Sequence, residues 1–121
     1  MGASGTSPDL LFQAAVERML TGVWRDPEGR WEGHDYRVEV VAARRGLNAF
    51  DVVMDFRVLE QALDRALEPL QGRLLSDLGL ADPLALLQRL AADLAPVVPP
   101  PAWLAEVALT DGRGRRRALQ P

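Results

Sequence analysis

Apolar positions along this chain recur first at a period of two, then at helical spacing, then at two again, and those changes lay out the elements. The run Leu10-Leu11-Phe12-Gln13-Ala14-Ala15-Val16 is short and apolar, bounded by Pro8 and Thr21-Gly22, and it predicts a strand. Trp24-Arg25-Asp26-Pro27-Glu28-Gly29-Arg30 is dense in turn formers and predicts a loop. From His34 to Ala43 the pattern alternates, with Tyr36, Val38 and Val40 on one face and Arg37 and Glu39 on the other, as in a half-buried strand. Arg44 to Asn48 turns the chain, and Val52-Val53-Met54 leads to a helix.

Asp55 is placed to cap that helix, because its carboxylate can accept the free N–H groups of a first turn. Beyond it Leu59, Ala62, Leu63, Ala66, Leu67 and Leu70 repeat at helical spacing, while Arg57, Glu60, Gln61, Asp64, Arg65 and Glu68 take the other face. A second helix opens at Asp82-Pro83, where the proline loses no needed donor. Its inner face is predicted as Leu84, Leu87, Ala91 and Leu94, widened by Leu86 and Leu90, with Arg89 and Asp93 paired one turn apart. Pro96 ends it, and Pro99-Pro100-Pro101 makes a stiff connector. Trp103 to Thr110 alternates again, Asp111-Gly112 signals a hairpin, and Arg115 to Leu119 returns as a last strand. The expected fold is therefore α+β, in the order ββααββ, with an antiparallel sheet of about four strands and both helices on one face. Open edges and an uncovered face predict an oligomer.

Composition narrows the chemistry. Of 121 residues, 48% are apolar and 26% charged, as in one soluble domain. A net charge of -3 gives no reason to expect nucleic acid or an anionic membrane as partner. Residues 1–9, Met-Gly-Ala-Ser-Gly-Thr-Ser-Pro-Asp, lack the basic flank and apolar stretch of a secretory signal and read as a disordered lead-in to a domain spanning 10–121. A cytoplasmic location is expected. Cysteine is absent and all fourteen cationic residues are arginine, which excludes thiolate metal sites, cysteine nucleophiles and Schiff-base lysines.

Three stretches together carry a resemblance: Phe12-Gln13-Ala14-Ala15, Gly33-His34-Asp35-Tyr36-Arg37-Val38-Glu39-Val40, and Val53-Met54-Asp55-Phe56 with Leu59. Pro83, then Trp103-Leu104-Ala105-Glu106-Val107 and Asp111, extend it. The chain resembles the 6-pyruvoyl/6-carboxytetrahydropterin synthase family over nearly its whole length. The resemblance implies the T-fold, a ββααββ unit that assembles as trimer barrels and hexamers with sites between subunits. It also implies a zinc ion on three histidines, one in an F-x-A-A-H run and two in an H-G-H run. Matched residue by residue, those positions hold Val16, Glu32 and His34, so only His34 and Glu32 remain as metal candidates. The family cysteine is matched by Glu28, its aspartate–histidine pair by Gln71-Gly72, and its P-T-x-E motif by Pro83-Leu84-Ala85-Leu86. Neither Gln71 nor Gly72 can take a proton from a substrate carbon. The glutamate that anchors the pterin ring is matched by the shorter Asp111.

Each candidate has a plainer reading beside the chemical one. His34 is a metal ligand or a strand-start histidine; Glu28 and Glu32 are a carboxylate pair or a solvated loop. Asp111 binds a pterin- or purine-like ring or sets its turn. Trp24 and Trp31 stack on a ligand or fill an interface, while Trp103 is expected in the core. Arg113, Arg115, Arg116 and Arg117 grip phosphate or nucleic acid, or keep a terminal strand from pairing, and the acidic total favours the latter. The expectation is a non-catalytic homo-oligomer, trimer or hexamer, with a pocket for a small heterocycle at Asp111, Glu28 and Trp24, and no resident cofactor. The alternatives are a divergent enzyme of pterin or 7-deazapurine (queuosine-type) biosynthesis, with Glu28, Glu32, His34 and Asp111 as its polar groups and a metal at His34 and Glu32, and a subunit that joins a catalytic paralogue.

Overall fold

The alternation in the first half of the chain runs further than its apolar content suggests. Strand β1 spans Leu11–Arg25 and strand β2 spans Trp31–Arg45, antiparallel and in unbroken register from Leu11 opposite Arg45 to Arg25 opposite Trp31. The structure, a computed structural model, describes residues 9–121, so the lead-in expected over 1–9 lies, Asp9 apart, outside the described residues. Ala14, Val16, Leu20 and Trp24 of β1 face the core, and Glu17, Met19 and Thr21 face away. Arg18 stands on the inner side, where it bonds Asp64 at 2.8 Å and Glu60 at 3.1 Å on the first helix. These polar residues hide the second half of β1 from a reading of apolar runs. The loop expected from Trp24 onward shrinks to Asp26–Arg30, and Trp24 and Glu32 are strand residues.

Strands β3 (Trp103–Thr110) and β4 (Arg116–Leu119) complete an antiparallel sheet in the order β1-β2-β3-β4. A bulge between Val41 and Ala42 shifts the β2–β3 register. Tyr36, Val38 and Val40 point inward as their spacing predicts, together with Leu104, Val107 and Leu109 of β3. Trp103, expected in the core, is instead 41% exposed on the open face of the sheet. The core-facing side of β3 is taken by its leucine neighbour, Leu104, and alternation sends Trp103 the other way.

Both helices lie between β2 and β3 and cover one face. Helix α1 (Phe56–Leu67) starts at Asp55, whose carboxylate accepts the Arg57 N–H at 2.9 Å, and buries Leu59, Leu63 and Leu67. Pro69 tightens its end into a 3-10 turn, Glu68–Leu70, that keeps Leu70 in the core. Helix α2 (Pro83–Leu94) is capped by Asp82, which accepts from the Ala85 N–H at 2.8 Å. Its buried face is Leu86, Leu87, Leu90, Ala91 and Leu94; Leu84, expected inside, is 56% exposed. Arg89 and Asp93 pair at 3.1 Å, as their spacing predicts. A further 3-10 turn, Leu75–Leu78, was not visible in the pattern. Among the described residues no helix is long and apolar enough to cross a membrane.

Candidate functional site

Two of the sheet's hairpin turns share one sequence, Asp-x-x-Gly-Arg, at 26–30 and at 111–115. They share one structure as well. In the first, Asp26 Oδ1 accepts the N–H groups of Glu28 (2.9 Å) and Arg30 (2.8 Å), and Oδ2 accepts Arg30 Nε at 2.8 Å. In the second, Asp111 Oδ1 accepts from Arg113 (2.9 Å) and Arg115 (3.0 Å), and Oδ2 accepts Arg115 Nε at 2.8 Å. The glycine of each turn sits at positive φ, 82° at Gly29 and 77° at Gly114, a conformation that a side chain disfavours. The hairpin expected at Asp111-Gly112 therefore turns on Gly114, three residues after the aspartate.

These turns meet at one end of the sheet, beside the N-terminus of α2. Between them lies a hollow of ≈ 280 Å³ whose walls include Trp24, Glu32, His34, Tyr36, Asp111 and Arg117, with Asp82 of α2 opposite. Four of the sequence candidates thus come together: Trp24, Glu32, His34 and Asp111. Glu28 does not join them; it faces solvent on the first turn and pairs with Arg30 at 3.0 Å. Arg117, one of the terminal arginine cluster read as a phosphate grip or an edge guard, also lines the hollow, and Tyr36 is the wall residue that the sequence did not single out for chemistry. Tyr36 was legible only as a core position.

Trp24 and Tyr36 form the buried base of the hollow, 8% and 4% exposed, and the indole N–H donates to the Tyr36 hydroxyl oxygen at 2.9 Å. Trp24 is accordingly a fixed floor, not a free stacking plate. Burial holds the Tyr36 phenol above its ordinary pKa, partly offset by the Trp24 bond and the Arg117 charge. The imidazole of His34 lies 5.8 Å from the Tyr36 ring, centroid to centroid, and its Nε2 is 3.3 Å from Glu32 Oε1.

The residues present do not fit a catalytic zinc, which requires three protein ligands. Val16, matched to the first histidine, pairs with Val40 in mid-sheet, whereas His34 pairs with Gly22. At about 3.3 Å per residue, Val16 is roughly 20 Å along the strands from the level of His34. No side chain at Val16 reaches the site, so the position that would complete it is Gly22. Glycine offers no donor, and a Cβ there would stand 2.8 Å from Leu75 Cδ1. Asp111 is occupied by its turn. Among the described residues no three His, Cys, Asp or Glu side chains group as a metal site.

The other matched positions have structural roles. Leu86 is fully buried in the core and Leu84 faces solvent. Gln71 lies outside the hollow, where its amide accepts the Thr21 N–H at 3.0 Å and donates to the Met19 carbonyl at 2.8 Å. Gly72 N–H donates to Thr21 O at 2.8 Å, with φ at 67°. Of the arginine cluster, Arg115 pairs with Asp111, and Arg116 pairs with Glu39 (3.0 Å) and Glu106 (2.6 Å).

The Asp111 turn makes a testable contribution. Backbone N–H bonds from Arg115 and Arg113 and the Arg115 side chain hold the Asp111 carboxyl below its usual range, against a smaller opposing effect of desolvation. A carboxylate with a depressed folded pKa stabilises the fold above its unfolded value of about 3.9 and loses that contribution as pH falls through the folded value. Asp111→Asn is therefore expected to be less stable than the parent at pH 7, with the gap closing as pH falls below about 4. Urea midpoints measured at several pH values check this; a gap that stays constant into acid contradicts it.

The family model described as 6-pyruvoyl tetrahydropterin synthase matches residues 12–96. The structure of Caenorhabditis elegans 6-pyruvoyl tetrahydropterin synthase superposes with a TM-score of 0.77 at 13% identity, covering 93% of this chain and 96% of that one. The Plasmodium vivax 6-pyruvoyl tetrahydropterin synthase superposes with a TM-score of 0.68 at 12% identity, covering 93% and 99%. Among curated proteins there is no significant match. At such identities the superpositions show the fold, the antiparallel sheet with two helices expected of the T-fold. The family match spans most of the chain, and on that ground the chain belongs to the 6-pyruvoyl tetrahydropterin synthase family.

Proposed function

We propose that this chain is a non-catalytic member of its family, a homo-oligomer that retains a small-molecule pocket and has lost the zinc and proton-transfer groups. The observation that carries the reading is Gly22. It stands opposite His34, where a third donor would have to be, and Leu75 fills the space a side chain would need. His34 and Glu32 alone make at most a weak, two-donor site. Gln71 and Gly72, matched to the family's acid–base pair, are engaged in holding the edge of β1. A pterin- or purine-like heterocycle is the occupant that the family suggests.

Assembly is supported by what the sheet leaves open. On the face away from the helices, Leu11 (49% exposed) and Trp103 (41% exposed) flank a hollow of ≈ 370 Å³ that Val41 and Ala43 also line. Apolar surface of this kind on a sheet with two edges favours burial against another copy. A trimer or hexamer of the family type would provide it.

The test is direct. Purified protein incubated with dihydroneopterin triphosphate and zinc is expected to give no tetrahydropterin product, and metal analysis well under about one ion per chain. Measurable conversion, or a tightly held ion at about one per chain, would overturn the reading in favour of a divergent enzyme of pterin or 7-deazapurine chemistry.

A further inference from the structure

We propose that the hollow between the two Asp-x-x-Gly-Arg turns binds an oxyanion, the carboxylate or phosphate of a small molecule, through the Tyr36 hydroxyl and the Arg117 guanidinium. The inference names a ligand class for the pocket of the proposed function, so it rests on that pocket being a ligand site. It does not depend on whether the protein is catalytic.

The class follows from which polar groups remain free. Every carboxylate on the wall already has a partner. Asp26 and Asp111 each accept two backbone N–H groups and an arginine Nε. Asp82 caps α2 through the Ala85 N–H, and Glu32 stands 3.3 Å from His34 Nε2. A ligand offering a donor-rich, guanidine-like ring edge to Asp111 would have to compete with three N–H groups already in place.

The donors are different. Tyr36 is 4% exposed and lines the hollow. Its oxygen accepts from Trp24, which directs the hydroxyl hydrogen away from the indole, and that hydrogen meets no acceptor among the described residues. A ligand oxygen in the hollow could accept that hydrogen. Arg117 lines the same hollow and forms no ion pair among the described residues, unlike its neighbours Arg115 and Arg116. Its charge reaches Tyr36, where it opposes the upward effect of burial. The positive end of α2 adds to the wall at Pro83. Glu32 and Asp82 oppose an anion, and their contacts with His34 and the helix N-terminus reduce that opposition. Among the described residues, the donors without a protein partner on this wall are the Tyr36 hydroxyl and the Arg117 guanidinium. A guanidinium with a hydroxyl beside it matches a carboxylate or phosphate.

The experiment titrates the full-length protein with three probes by calorimetry: inorganic phosphate, benzoate, and benzamidine as the cationic counterpart of benzoate. Saturable binding of phosphate or benzoate is expected, with benzamidine weaker. Arg117→Gln is expected to weaken the anion by about 10- to 100-fold, the range of a charge-assisted hydrogen bond. Tyr36→Phe should weaken it as well; because that change leaves Trp24 without its acceptor, the exposed Arg117 variant carries the test if Tyr36→Phe folds poorly. Binding of phosphate alone, of benzoate alone, or of both identifies which oxyanion the site takes, and each supports the proposal. Preference for benzamidine, no saturation by either anion up to about 10 mM, or an unchanged affinity in Arg117→Gln would overturn it. Catalytic turnover of a pterin would defeat the functional reading and leave this one standing. Preference for benzamidine would do the reverse.

Discussion

The double substitution Gly22→His with Leu75→Ala is expected to raise zinc affinity by at least about 100-fold, while Val16→His gives no gain. The contrast follows from strand pairing. Residues directly opposite each other across an antiparallel pair carry side chains on the same face, with Cβ atoms about 5 Å apart. Gly22 is opposite His34, and Glu32 shares that face two residues earlier on β2. An imidazole at 22 would therefore join the existing imidazole and carboxylate, giving three donors with an open position, the minimum for a stable site. Leu75 must shrink at the same time, because its Cδ1 stands 2.8 Å from where the new Cβ would be. Gly22→His alone is expected to destabilise the fold by overpacking, by roughly 1–3 kcal/mol. Val16, by contrast, is 8% exposed in mid-sheet beside Val40, and a histidine there buries a polar ring far from His34. Calorimetric zinc titration of the parent and the three variants, with urea unfolding, measures both effects. Equal zinc affinity in the parent and the double variant would show that Gly22 is not the missing donor's place.

The same comparison explains what was legible in the sequence. Periodicity exposed the inner faces of both helices, Leu84 apart, with the Tyr36-Val38-Val40 stripe and both helix caps, because burial and capping depend on residue type at fixed local spacing. It missed the far half of β1, where Glu17, Arg18 and Thr21 interrupt the apolar run although the backbone stays paired. The reason is tertiary: Arg18 stands on the inner side because Glu60 and Asp64 of α1 receive it. Trp103 was misplaced for a related reason, since alternation assigns a face only once its partner strand is known. Motif matching located His34, Glu32 and Asp111 at one site but set the first donor position at Val16, and only the register moves it to Gly22. The repeated Asp-x-x-Gly-Arg was readable from the first. It would have shown that Asp26 and Asp111 serve their turns before any ligand.

Restoring the residue types of the family's acid–base pair is expected to weaken the protein instead of activating it. Gln71 works as a short surrogate strand on the outer edge of β1: its amide donates to Met19 O and accepts from Thr21 N, and Gly72 and Arg73 continue the pairing with Thr21 and Val23. Gln71→Ala removes two bonds, for a loss of about 1–2 kcal/mol. Gln71→Asp fares no better, since a carboxylate cannot donate to the Met19 carbonyl and is one methylene shorter. Gly72 is held at φ 67°, where any L side chain adds about 1–2 kcal/mol of strain, so Gly72→His is penalised before its chemistry matters. The double variant should thus lose roughly 2–4 kcal/mol, and a double-mutant cycle will show how far adjacent changes depart from additivity. Uncovering Met19 and Thr21 also exposes strand edge that Gln71 now blocks, which favours pairing with another chain. Light scattering of Gln71→Ala should therefore show a larger mass than the parent. Unchanged urea midpoints together with an unchanged scattering mass would mean that the amide clasp contributes nothing to the edge of β1, and that the family's chemistry at this position was not displaced by a structural need.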